Sequence, residues 1–229
     1  MTIAIMQPYF FPYIGYWQLI NAVDTYVIYD DVNYIKKGYV NRNNILENDT
    51  CKLFTLELQQ ASPNKLINEI KIGNNKQKLL KTIRQNYIKA PYFREIYALL
   101  ESIMEHNESN LAKFLGNSIE QISKYLEIDT KIIYSSSIEK DKQLRGQNKI
   151  INISKQLNAS HYINAIGGKE LYSFEEFEKE GIQLNFLRTK PTNYKQFNSV
   201  FVENLSIIDV LMFNNKKTIN YFLQEYTLI

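Results

Sequence analysis

The N-terminal stretch constrains the fold more than any other part of the chain. Ile3-Ala4-Ile5-Met6 is a short apolar strand that runs into a loop punctuated by Pro8 and Pro12. An apolar-periodic helix opens at Ile14, and a second apolar run, Thr25-Tyr26-Val27-Ile28-Tyr29, ends in the adjacent carboxylates Asp30 and Asp31. Strand, loop, helix and strand at this spacing build an open α/β sheet, whose ligand crevice lies at the carboxyl ends of its parallel strands. The polar residues that follow both strands sit at that edge, so a binding or catalytic site is expected near the N-terminus.

The rest of the chain extends the pattern. Strands are expected at 2–6, 25–30, 66–72, 131–134, 161–164 and 182–188, and an antiparallel hairpin at 38–60 with its turn at Glu47-Asn48-Asp49-Thr50. Apolar residues at three- and four-residue spacing predict helices at 14–22, 75–89, 92–105, 108–126, 146–157, 174–180, 206–213 and 215–225. The expected fold is a Rossmann-like α/β arrangement with a mainly parallel sheet, of the nucleotidyltransferase/HUP-like kind as one form, carrying a β-hairpin. No linker divides the chain, which reads as one α/β domain over residues 1–229 with a helical insertion or subdomain at about 75–126.

Composition excludes several classes. The formal charge is only +3 and no long basic run occurs, so no nucleic-acid partner is expected. No apolar run approaches the roughly 20 residues that span a bilayer, and the N-terminus lacks a secretory signal, so the cytoplasm is the expected compartment. Cys51 stands alone and reads as a plain buried strand residue rather than a nucleophile. The two histidines are far apart, which leaves a Ser-His-Asp or multi-histidine metal site without support. His161 reads as structural and His106 as a helix-end residue.

The candidate site residues fall in three groups. In the first loop, Gln7, Pro8, Tyr9, Tyr13, Gly15 and Tyr16 are ligand-binding candidates, because prolines pre-order the loop and a glycine at a helix start admits close approach. Asp30 and Asp31, with Arg42, are the catalytic candidates: paired carboxylates suit acid–base work or Mg²⁺ beside a phosphate, and arginine suits a bidentate anion. Lys37, Asn41 and Asn43 join them, since Asn41-Arg42-Asn43 has low β-preference and some other cause must hold it in a strand. In the second half, Arg145 at a helix start is a natural anion seat, and Asn164, Gly168 and Lys169 follow a strand where backbone amides can reach a phosphate.

Met6-Gln7-Pro8-Tyr9-Phe10-Phe11-Pro12-Tyr13-Ile14-Gly15-Tyr16, the Tyr29-Asp30-Asp31 end and Lys36-Lys37-Gly38-Tyr39-Val40-Asn41-Arg42-Asn43 resemble the WbqC-like protein family. So do Ala159-Ser160-His161-Tyr162-Ile163-Asn164, Gly167-Gly168-Lys169-Glu170-Leu171-Tyr172 and the Phe177…Gly181-Ile182 pattern. This resemblance implies a place in lipopolysaccharide, O-antigen or other surface-polysaccharide biosynthesis and carries over no catalytic residue; at His161 the chain departs from the basic residue expected there. Tyr13-Ile14-Gly15-Tyr16 is also similar in position to the His-x-Gly-His motif of nucleotidyltransferase-like α/β enzymes such as pantothenate synthetase, with tyrosines replacing both histidines.

The expected function is an enzyme that modifies an amino sugar or nucleotide sugar, in its sharper form by ATP-dependent acyl or aminoacyl amide formation. The alternatives are a sugar-nucleotide-dependent transferase that uses no ATP, or a non-catalytic partner protein whose N-terminal aromatics form a flat interface. A small-molecule sugar substrate is the expected partner. The cofactor and the oligomeric state are open, with ATP and Mg²⁺ as the candidates for the cofactor.

Overall fold

A computed structural model describes residues 1–141, 143–198 and 200–229. Six strands form the central sheet: β1 (Thr2–Met6), β2 (Thr25–Ile28), β7 (Lys131–Tyr134), β8 (His161–Ala165), β9 (Gln183–Thr189) and β10 (Tyr226–Leu228). The spatial order is β10-β9-β8-β1-β2-β7, parallel except for β10 against β9. Counted among themselves, the strands run 3-2-1-4-5-6 from β7 to β10. That is the doubly wound order, and the chain switches direction between β1 and β8.

Alternation within each strand shows why the runs are almost continuously apolar. Ile3, Ile5, Val27, Tyr162, Leu184 and Phe186 pack into one core, with Ile150, Ile153 and Phe177 of the helices α5 (Gly146–Gln156) and α6 (Phe174–Lys179). Ala4, Tyr26, Ile28, Ile163 and Leu187 point the other way, into a larger core with the helix α1 (Ile14–Asn21). A parallel sheet covered on both faces needs apolar residues at successive positions. Each large side chain so buried contributes about 1.5–3 kcal/mol.

The larger core continues into the helices α2 (Lys76–Tyr87), α3 (Phe93–Glu105) and α4 (Leu111–Tyr125), which lie where helical period was expected. Asn110 caps α4 by accepting from the Lys113 amide. The strands β3 (Arg42–Glu47) and β4 (Thr50–Thr55) form the expected antiparallel hairpin, with Asn48 and Asp49 at positive φ in its turn. The helices α7 (Ile207–Phe213) and α8 (Lys216–Phe222) precede β10, capped by Ser206 and Asn215. Asp209 of α7 is fully buried: Tyr87 Oη donates to it at 2.9 Å, Tyr194 Oη at 2.6 Å and Gln196 Nε2 at 2.8 Å.

Four expectations are corrected. Residues 66–72 are not one strand: a 3₁₀ turn at Ile67–Glu69 precedes the two-residue strand β6 (Lys71–Ile72), which pairs with β5 (Leu58–Gln59). Glu69 accepts from the Leu66 amide at 2.8 Å, a local bond that competes with a ladder. The second strand stops at Ile28, two residues before its expected end, where the Asp30 amide turns back to the Ile28 carbonyl. The last strand, β10, was not expected; pairing with β9 holds this short exposed run in place. Cys51 lies on β4 but is exposed, not buried.

Candidate functional site

A cleft of about 950 Å³ opens at the carboxyl edge of the sheet, beside the switch between β1 and β8. Gln7 enters it from the end of β1, Tyr29 and Asp31 from β2, and Ser136 to Lys140 from β7. Arg145, Gly146, Gln147 and Lys149 enter from the start of α5, with Leu171 and Tyr172 from the segment after β8.

Asp31 organises the charge in this cleft. Ser135 Oγ donates to its Oδ1 at 2.7 Å, while Lys140 Nζ lies 2.9 Å and Lys149 Nζ 3.6 Å from its Oδ2. Burial works to raise the Asp31 carboxyl, but the Ser135 hydrogen bond and the two ammonium groups outweigh it and hold the group below the usual carboxylate range. Lys149 moves down through burial and the nearby Lys140 and Arg145, against the pull of Asp31. Its ammonium also lies 5.0 Å from the Tyr29 ring centre and donates to the Asp31 carbonyl at 3.1 Å. At the start of α5, Arg145 precedes a glycine at φ +53°, and the arginine side chain does not cap the helix. Helix amides and three cations thus face one space shared with two carboxylates, Asp31 and Glu139, an arrangement that accepts an anion.

The adjacent carboxylates serve separate networks. Asp30 is buried; its Oδ1 accepts from the Ser136 amide at 2.9 Å, and its Oδ2 from Ser136 Oγ at 2.6 Å and Asn68 Nδ2 at 3.2 Å. It therefore ties the end of β7 to the 3₁₀ turn and lines a second cavity rather than the first. Among the described residues, no group of three or more His, Cys, Asp or Glu is placed to hold a metal ion.

The other sequence candidates divide clearly. Gln7, Asp31 and Arg145 meet in the cleft, whereas Pro8, Tyr9, Tyr16, Lys37, Asn41, Arg42, Asn43 and Lys169 do not line it. Asn43 Nδ2 donates to the Phe10 and Phe11 carbonyls at 3.2 and 3.0 Å, bracing a loop in which Phe11 has φ +44°. Asn41 accepts from Tyr34 Oη and donates to the Leu56 carbonyl, both at 2.8 Å. Arg42 donates to the carbonyls of Gly38 and Lys37, the latter at φ +64°. Those bonds are what hold Asn41-Arg42-Asn43 where propensity does not.

Tyr16 is buried and donates to the Gln7 carbonyl at 3.0 Å, while Tyr13 bonds Thr189 and borders a separate cavity of about 250 Å³. A methyl at Gly15 would overlap Thr189 Oγ1 and the Tyr13 ring, so the close approach there is between protein groups. Gly168 and Asn164 lie behind the cleft wall: a methyl at Gly168 would crowd Asn164 Nδ2, and Asn164 bonds Tyr172. His161 Nε2 meets Asn185 Oδ1 at 2.8 Å at the start of β8, the edge opposite the cleft.

Lys140, Tyr172 and the serines after β7 were missed as site residues by sequence reasoning. Lys149 lies in the Arg145–Lys149 segment, whose position at a helix start marks an anion seat. Lys140 had none, standing in a run of alternating charge that reads as solvated surface.

A model of the WbqC-like protein family matches residues 7–221. The chain belongs to that family. Membership associates it with polysaccharide functions without naming a reaction. It is also 28% identical over 215 residues to uncharacterized protein Rv1507c of Mycobacterium tuberculosis, an alignment spanning 91% of this chain and 92% of that protein. No solved structure matches. Among the described residues, no helix is long and apolar enough to cross a membrane.

Proposed function

We propose that this WbqC-like chain is a cytoplasmic enzyme of bacterial surface-polysaccharide biosynthesis, O-antigen assembly included, that modifies an amino sugar or nucleotide sugar in the 950 Å³ cleft. The observation that carries this reading is the convergence of Arg145, Lys149 and Lys140 around Asp31 at the sheet's switch point. Arg145 and the first amides of α5 take the diphosphate, and Lys149 neutralises it. Asp31 holds both lysines in place. Tyr29 and Tyr172 supply walls that pack against a sugar or base, with Gln7 as a donor and acceptor at the end of β1.

ATP-dependent amide formation on the sugar amine is the narrower form of the same proposal, with the nucleotide phosphates in the same seat. The non-catalytic alternative needed the N-terminal aromatics on a flat face. Phe10, Phe11, Tyr16 and Trp17 are buried while Tyr13 and Tyr39 are exposed, and the concavity is lined by Asp31 and Arg145 rather than by Asp30 and Arg42; the concavity supports the enzyme reading.

Calorimetric and thermal-shift titration against UDP- and dTDP-linked amino sugars and Mg²⁺-ATP tests this. A ligand at 100 times its dissociation constant stabilises by about 2.7 kcal/mol. Stabilisation by a nucleotide sugar that weakens in Lys149→Ala supports the assignment, and a parallel response to Mg²⁺-ATP supports its narrower form. A flat response to the whole panel from a folded sample overturns it.

A further inference from the structure

Across the wall formed by Asn68, Ser136 and Ser137 lies a second cavity of about 760 Å³, between α4 and the end of β7. Its chemistry differs from that of the cleft. One lysine, Lys113, stands against two carboxylates, Asp30 and Glu120, so the space does not favour an anion. Asp30 is occupied by Ser136 and Asn68. Asn117, Glu120 and the Tyr134 hydroxyl also line the cavity, and none of the three makes a side-chain hydrogen bond to another described residue. A half-buried amide, an exposed carboxylate and a phenol, unbonded among the described residues, offer both donors and acceptors around a volume in the range of small-molecule pockets.

The position of Tyr134 is built into the sequence of α4. Gly116 lies within that helix, and a methyl there would overlap Tyr134 Oη. Glycine inside a helix costs about 1 kcal/mol relative to alanine. Here it admits the hydroxyl of a tyrosine whose ring is half-buried. Burial, with Glu120, Asp30 and Glu108 nearby, raises that hydroxyl to about 12, so it remains a neutral donor over the working range.

We propose that this second cavity is the acceptor seat for a sugar bearing a free amine, its hydroxyls bonded by Asn117 and Tyr134 and its amine by Glu120, next to the anion-holding cleft. The inference rests on the proposed function and names the second substrate of that enzyme. Ser136, anchored by Asp30, forms the partition across which the two substrates meet, and Asp30 is a positioning residue for it.

Saturation-transfer difference NMR with D-glucosamine, and separately with UDP, tests the seat on the intact chain. Glucosamine should bind more tightly than glucose. Its affinity should fall about fivefold in Asn117→Ala and about tenfold in Glu120→Gln, the losses of one neutral and one charged hydrogen bond. UDP binding should be unchanged in both variants. UDP binding with no glucosamine signal, equal binding of glucose, or a glucosamine signal insensitive to both substitutions overturns the second seat and leaves the cleft assignment standing. Loss of UDP binding in the wild type overturns the cleft assignment itself. Gly116→Ala, which displaces Tyr134, should weaken glucosamine at protein concentrations and temperatures where the variant remains folded, with UDP binding unchanged.

Discussion

Asp31 and Asp209 are both carboxylates largely withdrawn from solvent, and both are held by several donors, yet their titrations move in opposite directions. Asp31 meets two ammonium groups and a serine, and its carboxyl is lowered despite its burial. Asp209 meets only neutral donors, Tyr87, Tyr194 and Gln196; burial raises it, and the three hydrogen bonds offset that only in part. Asp31 is less deeply buried, and its serine bond and two ammonium groups outweigh desolvation, whereas Asp209 is fully buried among neutral donors. Depth of burial and countercharge together set the sign. The first acid sits in a cleft where charge can be exchanged with a ligand. The second ties α2, the segment before α7 and α7 together through the core.

The largest effect should come from breaking the inner network. Asp209→Ala leaves three donors without their acceptor and should remove about 3 kcal/mol or more of stability, read as a lower urea midpoint, with UDP affinity per folded molecule unchanged. In the cleft the balance reverses. Lys149→Ala should weaken UDP by about tenfold, the loss of one charge-assisted contact, while Lys140 still serves Asp31 and stability changes less than in Asp209→Ala.

The pH response sharpens the contrast. Because the folded value of Asp31 is depressed, its contribution is present above the unfolded value of about 3.9 and is lost as pH falls through the folded value. Asp31→Asn should therefore flatten the acid limb of the stability profile. Asp209 has a raised folded value, so its contribution is present below the unfolded value and is lost as pH rises through the folded one. The stability of the wild type relative to Asp209→Asn should fall as pH is raised from acid toward neutral. Urea midpoints measured from acid to neutral pH check both slopes, and parallel profiles for the two variants would contradict the comparison. The smallest effect should be that of Tyr13→Phe, which removes one hydroxyl bonded to Thr189 on a partly exposed side chain and should change stability by less than about 1 kcal/mol, with no change in UDP affinity.

Much of the fold was legible because local signals agreed. Apolar runs marked the parallel strands, helical period marked α2 to α4, and turn residues marked the hairpin at Asn48 and Asp49. The breakdown came where local chemistry was weak: β10 is exposed and is held by its partner strand, and residues 66–72 are divided by the Glu69 bond to Leu66. Of the residues that line the candidate cleft, Gln7 and Asp31 at the strand ends and Arg145 at the α5 start were legible in the sequence. The polar cluster at Asn41, Arg42 and Asn43 gave a true signal of constraint, but the constraint is on the first loop and its neighbouring turn.

The sequence by itself determined the alternation of strand and helix, and with it the sheet edge where polar residues gather, because hydrophobic period and turn chemistry are local properties. Only the tertiary structure decided that Lys140 and Lys149 meet on Asp31, that adjacent Asp30 turns to Ser136 and Asn68, and that Asp209 lies among Tyr87, Tyr194 and Gln196. Those meetings join residues from about 40 to more than 120 positions apart in most cases. Electrostatic partners are chosen by the closing of the sheet and its helices, and no local pattern encodes such a distance.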